Sequence, residues 1–269
     1  MSATILITGS TDGVGLATAK VLAAQHHNVL LHGRSDQKLR AAEEEVRGIG
    51  GTGSVERFHA DLSGFDGVIR LADAVAERHD HLDVLINNAG VFRVPNPRAN
   101  NGLDLRFMVN TLAPYLLTQR LLPLLGSTGR VINVSSAAQA PVVPDALTGR
   151  AALDDGTAYA QSKLAITMWS NHLADVHGVG GPMFVAINPG SFLGTKMVKE
   201  AYGTSGHDIG IGADILARAA TSDEFAAASG RYYDNDARRF ADPHPDALDR
   251  RKNAALVDLV DSIIPPVTH

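Results

Sequence analysis

The sequence contains no cysteine, which excludes disulfide bonds, zinc sites built on cysteine thiolates and catalysis by a thiol. It also lacks an excess of basic residues, because 24 lysines and arginines stand against 29 aspartates and glutamates, for a formal net charge of -5. Proteins that bind nucleic acids or anionic membranes generally carry a basic excess. We therefore expect neither of these partners.

Long hydrophobic runs are scarce as well. No apolar stretch approaches the length of about 18–20 residues that crosses a bilayer, and Met1–Thr8 lacks the basic and apolar regions of a secretory signal. The eleven histidines do not stand at the spacing of a metal motif such as H-E-x-x-H. These observations favour a cytoplasmic protein without a metal site.

What the sequence does contain is an alternation of short apolar runs and longer amphipathic stretches. The apolar runs, interpreted as strands, are residues 4–8, 28–32, 54–58, 84–86, 130–134, 183–187 and 230–233. The amphipathic stretches, interpreted as helices, lie near residues 14–25, 36–47, 66–79, 103–124, 157–176 and 246–263. This alternation predicts right-handed βαβ units. We expect one α/β domain over residues 1–269, a Rossmann-type doubly wound parallel sheet of about seven strands with helices on both faces.

Residues 8–15, between the first predicted strand and helix, read Thr-Gly-Ser-Thr-Asp-Gly-Val-Gly. Glycines allow the backbone to turn sharply and to approach a pyrophosphate, and the following helix offers unpaired N–H groups to phosphates. A glycine turn with a purely steric purpose is the alternative for this segment alone. The candidate cofactor residues here are Gly9, Ser10, Thr11, Asp12, Gly13, Val14 and Gly15.

Tyr159 and Lys163 are four residues apart on a predicted helix and therefore share one face. An ammonium about 4 Å from a phenol would lower the phenol pKa from about 10 toward 7. A phenol of that kind exchanges a proton with a carbonyl or an alcohol near neutral pH. An isolated Tyr-x-x-x-Lys is more simply a core tyrosine and a solvated lysine, so the pair needs support from elsewhere in the chain.

That support comes from a resemblance. The spacing Thr-Gly-x-x-x-Gly-x-Gly resembles the short-chain dehydrogenase/reductase family, and further motifs follow in family order up to about residue 195. They are Asp61-Leu62, Asn87-Asn88-Ala89-Gly90, Asn110, Ser135-Ser136, Tyr159-Ala-Gln-Ser-Lys163 and Pro189-Gly190. Residues 137–158 are longer than in the simplest members and resemble the extended loop of retinol-dehydrogenase-like and related carbonyl-reducing members.

The resemblance implies an oxidoreductase that moves a hydride between a nicotinamide cofactor and a small-molecule carbonyl or alcohol. It implies that Tyr159 is the general acid/base and that Lys163 lowers the tyrosine pKa and holds the ribose. One serine would orient the substrate oxygen, and because neighbouring strand residues face opposite ways we choose Ser136. Asn110 would support a proton relay, or would only distort its helix. Further cofactor contacts are implied for Asp61, Leu62, Asn88, Ala89, Gly90, Tyr159, Lys163, Pro189, Gly190 and Thr195.

The loop after Pro189 departs from the family spacing, because Thr195 falls one residue later than the usual hydroxyl that contacts the nicotinamide amide. The loop bulges to keep that contact, or Ser191 replaces Thr195. Residues 191–225 are expected to form the substrate lid. The resemblance also implies a homodimer or a homotetramer.

The cofactor preference is predicted from the end of the second strand, Leu31-His-Gly-Arg34-Ser35. NAD-specific sites usually place a carboxylate there, whereas an arginine suits the 2′-phosphate of NADP. Arg34 therefore favours NADP(H), with NAD(H) as the alternative. Asp12 weakens this argument if it lies near the phosphate, but it would instead cap the helix that begins beside it.

Two other functions compete with this hypothesis. A cofactor-sensing regulator would bind the dinucleotide without turnover, but such proteins typically lose the Tyr–Lys pair that this chain retains. Epimerisation or dehydration on the same fold is less favoured, because short members of the family are mostly simple oxidoreductases.

Overall fold

A computed structural model describes residues 2–267, apart from the side chains of residues 201 and 202. Eight strands form one sheet in the order β3-β2-β1-β4-β5-β6-β7-β8, parallel except for the last pair. The strands are β1 Thr4–Ile7, β2 Asn28–Gly33, β3 Val55–His59, β4 Val84–Asn87, β5 Arg130–Val134, β6 Met183–Asn188, β7 Arg231–Asp234 and β8 Arg239–Ala241. The predicted doubly wound sheet is confirmed. The eighth strand was not predicted: it is three residues long and returns antiparallel to β7 through a tight turn.

Helices cover both faces of this sheet. They are α1 Gly13–Ala24, α2 Asp36–Arg47, α3 Phe65–Ala76, α4 Leu105–Phe107, α5 Ala113–Leu125, α6 Pro144–Leu147, α7 Asp155–His177, α8 Lys196–Tyr202, α9 Ile209–Thr221, α10 Pro245–Leu248 and α11 Arg250–Ile263. A π-helical turn, Met108–Leu112, joins α4 to α5. The predicted helix near residues 103–124 is therefore three consecutive helical pieces, and α9 is an additional helix within the region predicted as a lid.

Two hydrophobic cores result from the alternation of side chains along the strands. Leu6 and Leu30 belong to the core beneath α3, α5, α7 and α11, whereas Ile5, Ile7 and Leu31 belong to the core beneath α1, α2 and α9. Each strand residue faces the side opposite to its neighbour, so a run without polar residues supplies both cores at once. This explains why the apolar runs predicted the strands well.

The order of the strands creates a crevice at the carboxyl end of β1. The chain adds β2 and β3 on one side of β1 and then crosses to add β4, β5 and β6 on the other. Loops leaving β1 and β4 therefore separate to opposite faces of the sheet, which is the place where doubly wound folds bind ligands. Residues 8–15 and 88–90, both singled out in the sequence, meet there.

The C-terminal helix α11 packs against α7 and α5. Tyr115 donates a hydrogen bond to Asp261 at 2.9 Å, and the side chains of Asn171 and Asn253 both donate to the Ala247 carbonyl at 2.9 Å. Within residues 2–267, none of the helices combines the length and the apolar character needed to span a membrane.

Candidate active site

A cavity of about 490 Å³ opens at the carboxyl ends of the central strands. Eighteen of the twenty predicted site residues line it, whereas Ser10 and Asn110 lie behind its wall. The eighteen are Gly9, Thr11, Asp12, Gly13, Val14, Gly15, Arg34, Asp61, Leu62, Asn88, Ala89, Gly90, Ser136, Tyr159, Lys163, Pro189, Gly190 and Thr195. The fold thus brings distant motifs of the sequence around one space.

The glycine turn is required by close packing as well as by its backbone angles. Gly9 and Gly13 have φ angles of +66° and +56°, in the region that favours glycine. A Cβ on Gly9 would lie 2.9 Å from the Ala89 Cα, and one on Gly15 would lie 2.4 Å from the Asn88 side-chain nitrogen. The turn therefore packs directly on the loop after β4 and leaves the amino end of α1 open to the cavity.

Asn88 fastens these two loops together. Its side-chain amide donates to the carbonyl oxygens of Thr8 and Gly9 at 2.9 and 3.1 Å, and its backbone N–H donates to the Thr8 hydroxyl at 3.0 Å. The Ala89 N–H donates to the same hydroxyl at 3.0 Å. Asn88 therefore shapes the glycine turn from beneath.

His32 is a site residue that the sequence reasoning missed. Its ring is buried, and its Nδ1 accepts a hydrogen bond from the Gly9 N–H at 3.1 Å while its Nε2 lies 3.2 Å from the Ala60 carbonyl. Burial lowers the pKa of His32 to about 4, so the ring is neutral at pH 7 and Nε2 carries the proton. Ser10, fully buried, accepts from the His32 N–H at 2.9 Å. A polar residue inside an apolar strand was the available signal.

Three charged residues, Arg34, Asp12 and Asp61, line the end of the cavity near β2 and the glycine turn, and their surroundings differ. Arg34 is exposed at the end of β2, and its guanidinium makes no ion pair with any residue in the 2–267 range. Asp12 accepts a hydrogen bond from the Gly13 N–H at 2.8 Å and caps α1, the second of the two roles considered for it. Asp61 accepts from the Ser63 N–H at 3.0 Å, and the neighbouring Leu62 is buried.

Lys163 is almost completely buried, with 4% of its surface exposed. Its Nζ donates to the Val134 carbonyl at 2.6 Å and lies 5.7 Å from the centre of the Tyr159 ring, one turn earlier on α7. Burial lowers the pKa of Lys163 to about 8. The phenol and the ammonium therefore face the same cavity, although the ammonium is bound to the end of β5.

Asn110 lies at the centre of the π-helical turn. Its side-chain oxygen accepts from the Val91 N–H at 2.8 Å, and its nitrogen donates to the Val91 carbonyl and to the Ser162 hydroxyl, both at 2.9 Å. A Cβ built on Gly90 would lie 3.4 Å from the Asn110 oxygen and 3.6 Å from the Lys163 Nζ. The helix is distorted at Asn110, and Gly90 lies next to both the Asn110 side-chain amide and the Lys163 ammonium.

The two serines after β5 face in opposite directions. Ser135 is buried, donates to the Lys163 carbonyl at 3.0 Å and lies 2.7 Å from the Thr167 hydroxyl. Ser136 is partly exposed on the cavity wall, and its hydroxyl oxygen accepts from the Ala138 N–H at 3.1 Å, which leaves its own proton available to donate. The alternation supports the choice of Ser136 as the serine beside the substrate.

The loop after β6 is held by Asp236, a residue that the sequence did not single out. Asp236 accepts hydrogen bonds from the Ser191 N–H at 2.8 Å, from the Ser191 hydroxyl at 2.6 Å and from the Asn188 side chain at 2.9 Å. Burial opposes its ionisation, but the bonds from Ser191 and Asn188 lower the pKa of Asp236 overall. The hydroxyl of Ser191 is thereby directed to a carboxylate.

Thr195 caps α8, where its hydroxyl accepts from the Val198 N–H at 3.3 Å. Its methyl group faces the glycine turn, because a Cβ built on Gly13 would lie 3.4 Å from it. Phe192, three residues earlier, has a φ angle of +52°, so the backbone bulges between Pro189 and Thr195. Thr195 therefore lines the cavity with its methyl group toward the glycine turn, while its hydroxyl is bonded at the start of α8.

Comparisons with known proteins agree with this geometry. The profile of the short chain dehydrogenase family matches residues 3–206. Human retinol dehydrogenase 13 is 33% identical over 199 residues, which are 70% of this chain and 58% of the human protein. This chain thus matches less than two thirds of that relative's length. The chain belongs to the short-chain dehydrogenase family, and the resemblance found in the sequence is confirmed.

Solved structures show the same fold. A crystal structure of an uncharacterised protein from Mycobacterium paratuberculosis has a TM-score of 0.79 at 28% identity and covers 97% of this chain and 92% of its own. A landomycin C-6 ketoreductase, crystallised with NADP and rabelomycin, has a TM-score of 0.69 at 26% identity, and the match covers 87% of this chain and 94% of the ketoreductase.

Proposed function

We propose that the protein is an NADP(H)-dependent oxidoreductase that interconverts a carbonyl compound and its alcohol. The observation that carries the proposal is the meeting of Ser136, Tyr159 and Lys163 with the glycine turn around one cavity. The turn and the amino end of α1 fit a pyrophosphate, because the glycines leave room for it and the helix offers N–H groups. The bound nicotinamide would supply or accept the hydride.

In the reductive direction, the chain's own residues position the carbonyl and deliver a proton to its oxygen. Ser136 donates a hydrogen bond to that oxygen, and Tyr159 transfers its phenolic proton to it as the hydride arrives at carbon. Lys163 stabilises the phenolate that remains, and we propose that water near Asn110, which lies beside Gly90 as Lys163 does, returns a proton from solvent. Oxidation of the alcohol reverses each step.

The substrate end of the cavity suits a bulky uncharged molecule. Its wall includes Val91, Phe92, Phe192 and Met197, and the Phe92 ring packs edge-on against Tyr159 with 4.8 Å between ring centres. Apolar walls of this kind favour ligands that bury hydrocarbon and do not need an ionic partner. We therefore propose trans-1-decalone, 9,10-phenanthrenequinone and all-trans-retinal as the first substrates to test.

The cofactor preference is tested by titrating NADPH and NADH separately against the Arg34→Ala variant. A charge-assisted bond to the 2′-phosphate is worth about 1.5–3 kcal/mol, so the Kd for NADPH should rise roughly 10- to 150-fold while that for NADH hardly changes. Arg70→Ala, which removes the same charge from an exposed position of α3, is the matched control. Equal weakening of both cofactors in Arg34→Ala would refute the phosphate contact.

The Tyr159→Phe variant tests the chemistry itself. It should bind NADPH as the wild type does and lose roughly 10²–10⁴-fold in turnover, because that is the usual contribution of general acid/base catalysis. A cofactor-sensing regulator would show no turnover even in the wild type. An enzyme that kept its rate after the substitution would show that Tyr159 does not transfer the proton.

A further inference from the structure

The backbone carbonyl of Ser136 accepts two side-chain hydrogen bonds from inside the protein. The Tyr232 hydroxyl donates to it at 3.0 Å, and the Gln139 side-chain nitrogen donates to it at 3.0 Å. Ser136 follows the end of β5, where the regular pairing with the neighbouring strands stops. Two donors therefore fix the backbone of Ser136, whose partly exposed hydroxyl lies on the cavity wall.

Both donors lead to the C-terminal part of the chain. Tyr232 lies on β7 and is 5% exposed, and it stands outside residues 3–206, the part that matches the family profile. Gln139 accepts from the His244 N–H at 2.9 Å, just before α10. The segment from β7 to α10 thus contacts the Ser136 carbonyl once directly and once through Gln139.

The Tyr232 hydroxyl is suited to be a permanent donor. Burial, together with the nearby carboxylates of Asp234 and Asp236, raises the pKa of Tyr232 above its ordinary value. The phenol therefore keeps its proton throughout the neutral and mildly alkaline range. Without the Tyr232 hydroxyl, the Ser136 carbonyl would keep the Gln139 amide as its remaining side-chain donor, so the loop would lose one of its two restraints rather than both.

We propose that Tyr232 and Gln139 are positioning residues for catalysis, which hold the Ser136 backbone so that its hydroxyl is directed at the substrate oxygen. Strand β7 is then part of the active site although none of its residues lines the cavity. This inference rests on the proposed function, because it assigns Ser136 the contact with the substrate oxygen.

The Tyr232→Phe variant removes one of the two donors and keeps the ring. The matched control is Tyr233→Phe, which removes a hydroxyl from the next residue of β7, whose ring faces the opposite core and packs against Phe225 and Phe240. Hydrogen exchange followed by mass spectrometry needs no substrate. Exchange in residues 135–140 should become about fivefold or more faster in Tyr232→Phe and stay unchanged in Tyr233→Phe.

Turnover is measured with NADPH and the best substrate of the three carbonyl probes. Tyr232→Phe should lower kcat about five- to tenfold, with little change in the Kd for NADPH, since one hydrogen bond of ordinary strength is lost. The decisive step repeats the substitution in a Ser136→Ala background. If Tyr232 acts through the serine hydroxyl, its removal should cost nothing further there.

The other outcomes separate the two proposals. Equal losses in both backgrounds, or no loss and no faster exchange in Tyr232→Phe, would overturn the positioning role and leave the proposed function intact. A Ser136→Ala variant as active as the wild type, or a wild type that reduces none of the probes, would contradict the proposed function. Exchange in residues 135–140 would then still decide whether Tyr232 holds this loop.

Discussion

Replacing Lys163 by methionine should make the free protein more stable while it removes the proposed catalytic ammonium. The Lys163 side chain is 4% exposed, and its pKa is lowered from 10.5 to about 8 by burial. The unfolded chain therefore holds this proton more tightly than the folded one. At pH 7 this difference in the Lys163 pKa lowers the unfolding free energy of the wild type by about 3 kcal/mol.

The pH dependence gives the sign of the effect. Between pH 8 and 10.5 the unfolded chain binds more protons than the folded chain, so the wild type gains stability from this group as the pH rises. The methionine variant has no such gain. At pH 7 the variant gains about 3 kcal/mol of unfolding free energy from the missing charge and loses roughly 1 kcal/mol with the hydrogen bond to Val134. This net stability advantage over the wild type should therefore shrink as the pH rises and reverse by pH 10.5.

Urea denaturation at pH 7, 9 and 10.5 measures this difference. Titration of all other groups cancels when the two proteins are subtracted, because they differ at one position only. Lys38→Met, at an exposed position of α2, is the control and should show a difference that hardly changes with pH. If the difference in unfolding free energy between Lys163→Met and the wild type also stayed constant with pH, the argument that burial lowers the pKa of Lys163 would be refuted.

Two further predictions follow from ion pairs and hydrogen bonds around the site. Asp155→Asn removes a carboxylate at the start of α7 that pairs with the buried Arg106, so unfolding free energy should fall by about 1–2 kcal/mol in urea denaturation; an unchanged midpoint would show that the pair contributes nothing. Asp236→Asn weakens the two hydrogen bonds that the carboxylate accepts from Ser191, so the Kd for NADPH should rise about fivefold in a fluorescence titration, without a comparable effect on the Tm. An unchanged Kd would show that NADPH binding does not depend on the bonds between this carboxylate and the loop after β6.

The fold could be predicted from the sequence because local signals decide it. Five of the seven predicted strands, β1, β2, β4, β5 and β6, are apolar runs buried almost throughout, which few other structures accommodate at that length, whereas β3 and β7 are only partly buried. The glycine turn could be predicted for a similar reason, since Gly9 is required by its backbone angle and by contact, and Gly15 by contact. The Tyr159–Lys163 pair depends only on helical spacing, and the helix is long and regular.

The remaining details depend on neighbours that are distant in sequence. The Lys163 Nζ donates to the Val134 carbonyl at the end of β5, a contact that the spacing of Tyr159 and Lys163 along α7 does not predict. The π-helical turn around Asn110 forms because that amide bonds across to Val91. The role of His32 required knowing that Gly9 lies against its ring. None of these contacts follows from spacing along one element.

The C-terminal part of the chain illustrates the same limit and gives it a functional meaning. The motifs end near residue 195, yet Tyr232 binds the carbonyl of Ser136 and Asp236 binds the loop that carries Ser191. These contacts lie at the carboxyl ends of β5 and β6, beside the cavity. Because β7 pairs with β6 in register, any shift of this strand would move both contacts together. We therefore expect changes in substrate preference among close relatives to track residues 231–244 as closely as the loop after β6, because Tyr232 and Asp236 lie in that stretch and bind the loops after β5 and β6.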